Sequence, residues 1–154
     1  MEQPQRSQTR WTLPILRIAM GIFLIAWGLD KWFATQGSLQ IFSVFYGVEV
    51  SGLVVRVAGT LEVLLGLTLV VGILPVVTAW AQLIVNTIST VGSWKQILDP
   101  WGRLGLTEGG AHLFLASIPV MAVSIVLVMN ARRMSQNPAS RLTPPAKEEE
   151  GGGS

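Results

Sequence analysis

The stretch "GTLEVLLGLTLVVG", residues 59–72, is an apolar run broken by a single carboxylate, Glu62. Its neighbours within two turns are aliphatic residues, glycine and threonine, so a helix built from them offers the acid no wet face. How Glu62 is read therefore depends on the solvent around the helix, and composition identifies that solvent. Half of the 154 residues are hydrophobic and 13% are charged, against roughly 25% charged in an average soluble domain. The mean hydropathy is positive, +0.52. These values describe an integral membrane protein.

Four apolar stretches lie at roughly 12–33, 53–74, 75–93 and 110–131, each near the roughly 20 residues that cross a roughly 30 Å hydrocarbon core. They predict an all-α polytopic membrane protein, a four-transmembrane-helix bundle forming one domain over residues 12–131. A cytoplasmic segment, 1–11, precedes it. A Pro-, Ser- and charge-rich tail, 132–154, follows and ends in the linker-like "GGGS"; its composition predicts disorder. The first span is too long for a cleaved signal peptide and runs into "GLDKWF" rather than a small-residue cleavage site.

Basic residues gather at the two chain ends, Arg6 and Arg10 at one and Arg132, Arg133, Arg141 and Lys147 at the other. By the positive-inside rule both termini are expected in the cytoplasm. The link "GILP" predicts a tight hairpin, with Gly72 ending one helix and Pro75 in the first turn of the next. On the outer side, "TQGSLQIFSVFYGVEVSG" places Leu39, Phe42 and Tyr46 at helical spacing, and "SWKQILDPWGRLGLTEGG" carries Trp94 and Trp101. Both suit the headgroup layer, as lipid anchors or as a lid or docking surface.

The chain has no cysteine, which excludes disulfides, thiol redox couples and thiolate metal sites. One histidine and scattered carboxylates do not supply the clustered ligands of a metal or haem centre, so no metal site is expected. No nucleotide, phosphate or zinc motif is present, and no nucleic-acid partner is expected. Nothing resembles a nucleophile beside its base, which argues against a stand-alone enzyme.

The candidate site residues are the polar groups inside the spans, since an ionisable group in hydrocarbon is costly and should face inward and pair. Arg17, Gly21, Leu24, Gly28 and Lys31 recur every three or four residues and share one face of span one; Gly59, Glu62 and Gly66 do so on span two; Thr78, Gln82, Asn86, Ser89 and Ser93 do so on span three. Counting helical rise puts Glu62 and Asn86 near mid-depth, Arg17 on the cytoplasmic side, and Lys31, Arg56 and His112 towards the outside. Glu62 is thus expected within reach of Arg17 from below or Arg56 from above. It is either a buried clamp that fixes the bundle's register or part of a cavity lining that takes a quinone-like head group or a small acid. His112 is either an interfacial hydrogen bonder or a group at the mouth of the bundle. Among the tryptophans, Trp27 and Trp80 are placed to touch a ligand.

"LRIAMGIFLIAWGLDKW", "GTLEVLLGLTLVVG" and "GLTEGGAHLFLASIPVMAVSIVLV" together resemble the DoxX family of small four-helix bacterial membrane proteins, over roughly residues 13–131. The marks are Arg17 near the start of span one, Gly28 and Lys31 at its end, Glu62 followed by Gly66, and Gly109-Gly110 before span four. The resemblance implies a membrane accessory subunit of an electron-transfer or sulfur-oxidising, quinone-linked system. Such a subunit would have no covalent cofactor, would take a quinone as ligand if it takes any, and would form a homo- or hetero-oligomer with other membrane or redox subunits in the lipid bilayer of the bacterial cytoplasmic (inner) membrane. A small transporter or proton-conducting bundle, or a purely structural assembly subunit, is the alternative.

The native absence of cysteine makes the topology directly testable. Single cysteines at Ser7 and Ser140 should resist a membrane-impermeant thiol reagent in intact cells, and one at Ser38 should react. Labelling at Ser7 overturns the assignment of both termini to the cytoplasm.

Overall fold

The computed structural model describes residues 5–45 and 47–136 of the chain, and every described element is helical. Tyr46 and the tail beyond Gln136 lie outside the described residues. Helix α1 spans Gln5–Phe33, α2 Thr35–Phe45, α3 Gly52–Val71, α4 Pro75–Gly92, α5 Trp94–Leu98 and α6 Ser117–Gln136, with a 3₁₀ turn at His112–Ala116. The long helices thus extend past the apolar stretches at both ends of the chain. Three segments, Trp11–Phe33, Gly52–Val71 and His112–Arg132, are long and apolar enough to cross a membrane. Helix α4 has the length, 18 residues, but Thr78, Gln82 and Asn86 on its buried face lower its hydropathy.

Local chemistry fixes the helix ends. Ser51 caps α3, its hydroxyl accepting from the Val54 amide at 3.4 Å and satisfying one of the orphan donors of the first turn. Gly72 ends the same helix in a left-handed conformation, φ 85°, and its amide donates to the Thr68 carbonyl at 2.8 Å. Pro75 opens α4, and Leu74 before it, disfavoured in the right-handed region by the proline ring, also sits left-handed at φ 47°. The "GILP" hairpin is therefore as tight as the sequence predicts. Span four differs from expectation. Gly109 and Gly110 hold positive φ, 89° and 75°, the chain continues as the 3₁₀ turn, and the α-helix starts only at Ser117. Pro119 sits in its first turn, where the missing amide has no helical partner to lose.

The long helices associate as two pairs, α1 with α3 and α4 with α6. In the first, antiparallel pair, Gly21 meets Gly66 and Gly28 meets Gly59 so closely that a Cβ on Gly66 would lie 2.6 Å from the Gly21 carbonyl oxygen and one on Gly59 2.6 Å from that of Gly28. Each helix contributes two glycines seven residues apart on one face, which lets the backbones touch as small residues do in membranes. Between the pairs, Met20, Leu24, Leu69, Ala79, Leu127, Val128 and Ala131 form an apolar core towards the 72–75 hairpin. At the opposite end α2 packs on α1 and α3, and the connection around Asp99 leads into the 3₁₀ turn, which packs on α5 and α6.

That connection is folded around one carboxylate. Asp99 is 2% exposed; it accepts from the amides of Arg103 at 2.6 Å and of Leu104 and Leu106 at 3.0 Å each. Burial pushes its carboxyl up, but these amide donors outweigh that and hold it below the usual aspartate range. The loop is thus stabilised above the ordinary aspartate pKa, and loses that contribution as pH falls through the lowered value. Ser38 proves buried, 4% exposed, so the exposed Ser43 on the same helix is the better position for outside labelling.

The glycine contact makes a sharp prediction. Gly66→Ala must push α1 from α3 and should cost about 1–3 kcal/mol, the usual range for overpacking, whereas Gly37→Ala, with nothing within 4 Å of the added methyl, should be neutral or stabilising. Thermal unfolding in detergent checks both, and equal midpoints for the two variants would contradict the close contact.

Candidate functional site

In the half of the molecule away from the apolar core the two helix pairs separate and leave a cavity of about 330 Å³, at the lower end of the roughly 300–1,000 Å³ of ordinary ligand pockets. Helix α1 supplies Leu24, Trp27, Asp30 and Lys31 to its lining, α3 supplies Ala58 and Glu62, and α4 supplies Asn86 and Ser89, with Ser93 just past its end. Ser38 and Phe42 of α2, with Phe114 of the 3₁₀ turn, form its outer end. Phe23, Trp27 and Ile88 also line it while being 36%, 43% and 60% exposed, so its apolar side reaches the surface between α1 and α4.

One wall is charged. The Lys31 ammonium donates to Glu62 Oε2 at 2.7 Å, and the two side chains are only 10% and 13% exposed. Lys31 also lies 3.5 Å from the Trp27 carbonyl and 5.6 Å from the centre of the Trp27 ring. Glu62 is thus paired with Lys31, not with Arg17 or Arg56 as the depth count suggested. The reason is the direction of the Cα–Cβ bond, which tilts towards the amino end of each helix. On antiparallel α1 and α3 this tilt brings Lys31 and Glu62 towards each other, while it carries Arg17 and Arg56 away from Glu62.

The two arginines have other surroundings. Arg17 lies against Gly72, where a Cβ would be 2.6 Å from Nη1, beside the carbonyl-rich carboxyl end of α3 that favours a cation. Arg56 stacks on Trp32 at 5.7 Å, and the Trp32 indole in turn donates to Thr60 Oγ1 at 3.2 Å.

The floor is a buried amide network. Gln82 Nε2 donates to the carbonyls of Ala79 and Ser124 at 3.1 and 3.3 Å, and Gln82 Oε1 accepts from Asn86 Nδ2 at 3.0 Å and from the Ser124 hydroxyl at 2.9 Å. Asn86 Nδ2 also lies 2.9 Å from Ser124 Oγ and 3.5 Å from the Met20 sulfur. Gln82 is fully buried beneath the cavity rather than in its lining.

Of the residues singled out in the sequence, Lys31, Glu62, Asn86 and Trp27 come together around one space, with Gln82 supporting Asn86. Arg17, Arg56, His112 and Trp80 do not line it. His112 is exposed and meets Trp101 edge-on at 5.6 Å. Trp80 carries Arg132 over its ring at 4.5 Å. Sequence reasoning passed over Ser38, which only the folding of α2 over the bundle brings to the cavity, and Asp30, whose place beside Lys31 was the available signal. Among the described residues no group of three or more His, Cys, Asp or Glu could hold a metal ion.

The helices define a multi-pass, all-helical membrane protein, and a charged pair lines the cavity between them. The family model for DoxX matches residues 12–93, just over half of the chain, and the chain belongs to the DoxX family. The match carries Lys31, Glu62 and Asn86 and ends before the 3₁₀ turn and α6. No curated protein and no solved structure matches the chain.

Breaking a buried pair by removing one partner costs roughly 3–5 kcal/mol in soluble proteins, whereas replacing both by apolar groups of similar volume is often neutral or stabilising. Glu62→Gln should therefore lower the unfolding midpoint in detergent, and Lys31→Met combined with Glu62→Leu should restore it. A double variant less stable than Glu62→Gln alone would show that the pair holds the bundle together.

Proposed function

We propose that this DoxX-family protein is an integral membrane accessory subunit of a quinone-linked redox system, and that its cavity takes a quinone-type head group from the bilayer. It crosses the inner membrane four times with both termini in the cytoplasm. The fourth crossing is α4, whose 18 residues give about 27 Å at about 1.5 Å per residue and whose polar face is turned to its neighbours.

The observation that carries this reading is the Lys31–Glu62 pair set in the wall of an otherwise mostly apolar cavity that reaches the lipid-facing surface. A lipid-soluble head group can enter such a space from the side, leaving its tail among the lipids. Charge narrows the ligand class. Asp30 and Glu62 against Lys31 leave the lining with one net negative formal charge, which disfavours a sulfur oxyanion and suits a neutral molecule. The residues matched by the family model include the pair, and the family's redox association points the same way.

A proton-conducting or transport role is less well supported. Below Gln82 the interior is filled by Leu69, Ala79, Leu127 and Val128, which offer no relay from Glu62 to the cytoplasmic side.

Binding tests the proposal. In lipid nanodiscs a short-chain benzoquinone, presented in both redox forms, should quench tryptophan fluorescence saturably, and the Lys31→Met/Glu62→Leu protein should stay folded yet bind about tenfold more weakly or worse. Absence of saturable binding, or undiminished binding by the folded double variant, would rule this function out.

A further inference from the structure

We infer that the cavity selects the reduced, hydroxyl-bearing form of its head group over the oxidised quinone, an inference that rests on the quinone reading above. It follows from which hydrogen-bonding atoms are left over once the site's internal bonds are assigned.

The pair consumes one carboxylate oxygen. Glu62 Oε2 accepts from Lys31; Oε1 has no hydrogen-bond partner among the described residues and is not sealed in protein, on a side chain that lines the cavity. The amide floor leaves a second acceptor. Gln82 Nε2 is turned to two carbonyls, which can only accept, so Gln82 Oε1 is turned to Asn86 and must receive a donor there. That fixes Nδ2 as the inner atom of Asn86 and leaves Oδ1 as the outer one. Oδ1 is likewise unpartnered and unsealed, on a side chain that is 5% exposed and lines the cavity.

Two atoms that can only accept therefore face the ligand. The obligate donors on the same walls, the Trp27 indole N–H and the Lys31 N–H left over beside its contacts with Glu62 and the Trp27 carbonyl, are met by a quinol oxygen as well as by a quinone carbonyl. The hydroxyls of Ser38 and Ser93, 4% and 5% exposed, donate or accept and do not choose between redox forms. A hydroquinone brings O–H groups to Glu62 Oε1 and Asn86 Oδ1. A quinone brings carbonyl oxygens, which face the acceptors lone pair to lone pair and leave them unsatisfied, and a site built to bond a hydroxyl rejects an analogue without it.

The test compares three ligands of one skeleton in nanodiscs: a short-chain benzoquinol, its quinone, and its di-O-methyl ether. The chain contains no cysteine, so the reductant that maintains the quinol leaves the protein unaltered. The quinol should bind about tenfold tighter than either of the others, and Glu62→Gln, which presents an amide donor as readily as an acceptor, should shrink that preference several-fold. Should Glu62→Gln fail to fold, the Lys31→Met/Glu62→Leu protein is measured instead and should show a preference shrunk to a similar degree. Quinone binding as tight as quinol in the wild type, or a methyl ether as tight as the quinol, overturns the selectivity while leaving the cavity's function intact. If none of the three binds, the quinone reading itself falls and the selectivity with it.

Discussion

Everything at the candidate site depends on how closely α1 and α3 approach. The contacts of Gly21 with Gly66 and of Gly28 with Gly59 leave no room for a methyl group, so sliding or rotating the helices would drive a larger side chain into the partner's backbone. This contact sets which residues face one another across the pair. Lys31 and Glu62 lie beside its outer end, and the opposed tilt of side chains on antiparallel helices closes the distance between them to 2.7 Å.

The same choice of small residues explains why a cavity exists where it does. Towards the 72–75 hairpin the helices present Met20, Leu69 and Leu127, which fill the space between the two pairs. Towards the other end the facing positions are Ala58, Ser89, Ser93 and Ser117, whose side chains are too short to meet in the middle. Leu24 and Asn86 divide the two regions. Above them α2 and the 3₁₀ turn close the space without filling it, and the turn in turn follows a connection gathered around Asp99.

Much of this was legible in the sequence, and the failures have identifiable causes. Glycine and proline marked the hairpin because their backbone restrictions act locally. The inward faces of the spans could be read because helical periodicity is independent of tertiary detail, and Thr78, Gln82 and Asn86 are buried as their spacing predicts. The partner of Glu62 was misread because counting rise locates Cα atoms, whereas a lysine or glutamate acts several ångströms from its Cα, in a direction set by helix polarity. The role of Asp99 was hidden because its partners are backbone amides, which every residue carries. The late start of α6 was only hinted at by Gly109, Gly110 and Pro119, which mark a break without giving its conformation.

The glycine contact also bears on whether Glu62 is a clamp or a ligand group. A clamp is required where helices would otherwise slip, yet the glycines already exclude slippage on both sides of Glu62. Ionisable groups within a bilayer are costly, and an apolar pair of the same volume would serve packing equally well. In the proposed function, a charged pair that is redundant for register, expensive to bury and turned towards an open space gains its advantage from what enters that space. In that function one carboxylate oxygen is left over beside the engaged ammonium, and the pair acts as a positioned acceptor whose charge Lys31 makes tolerable.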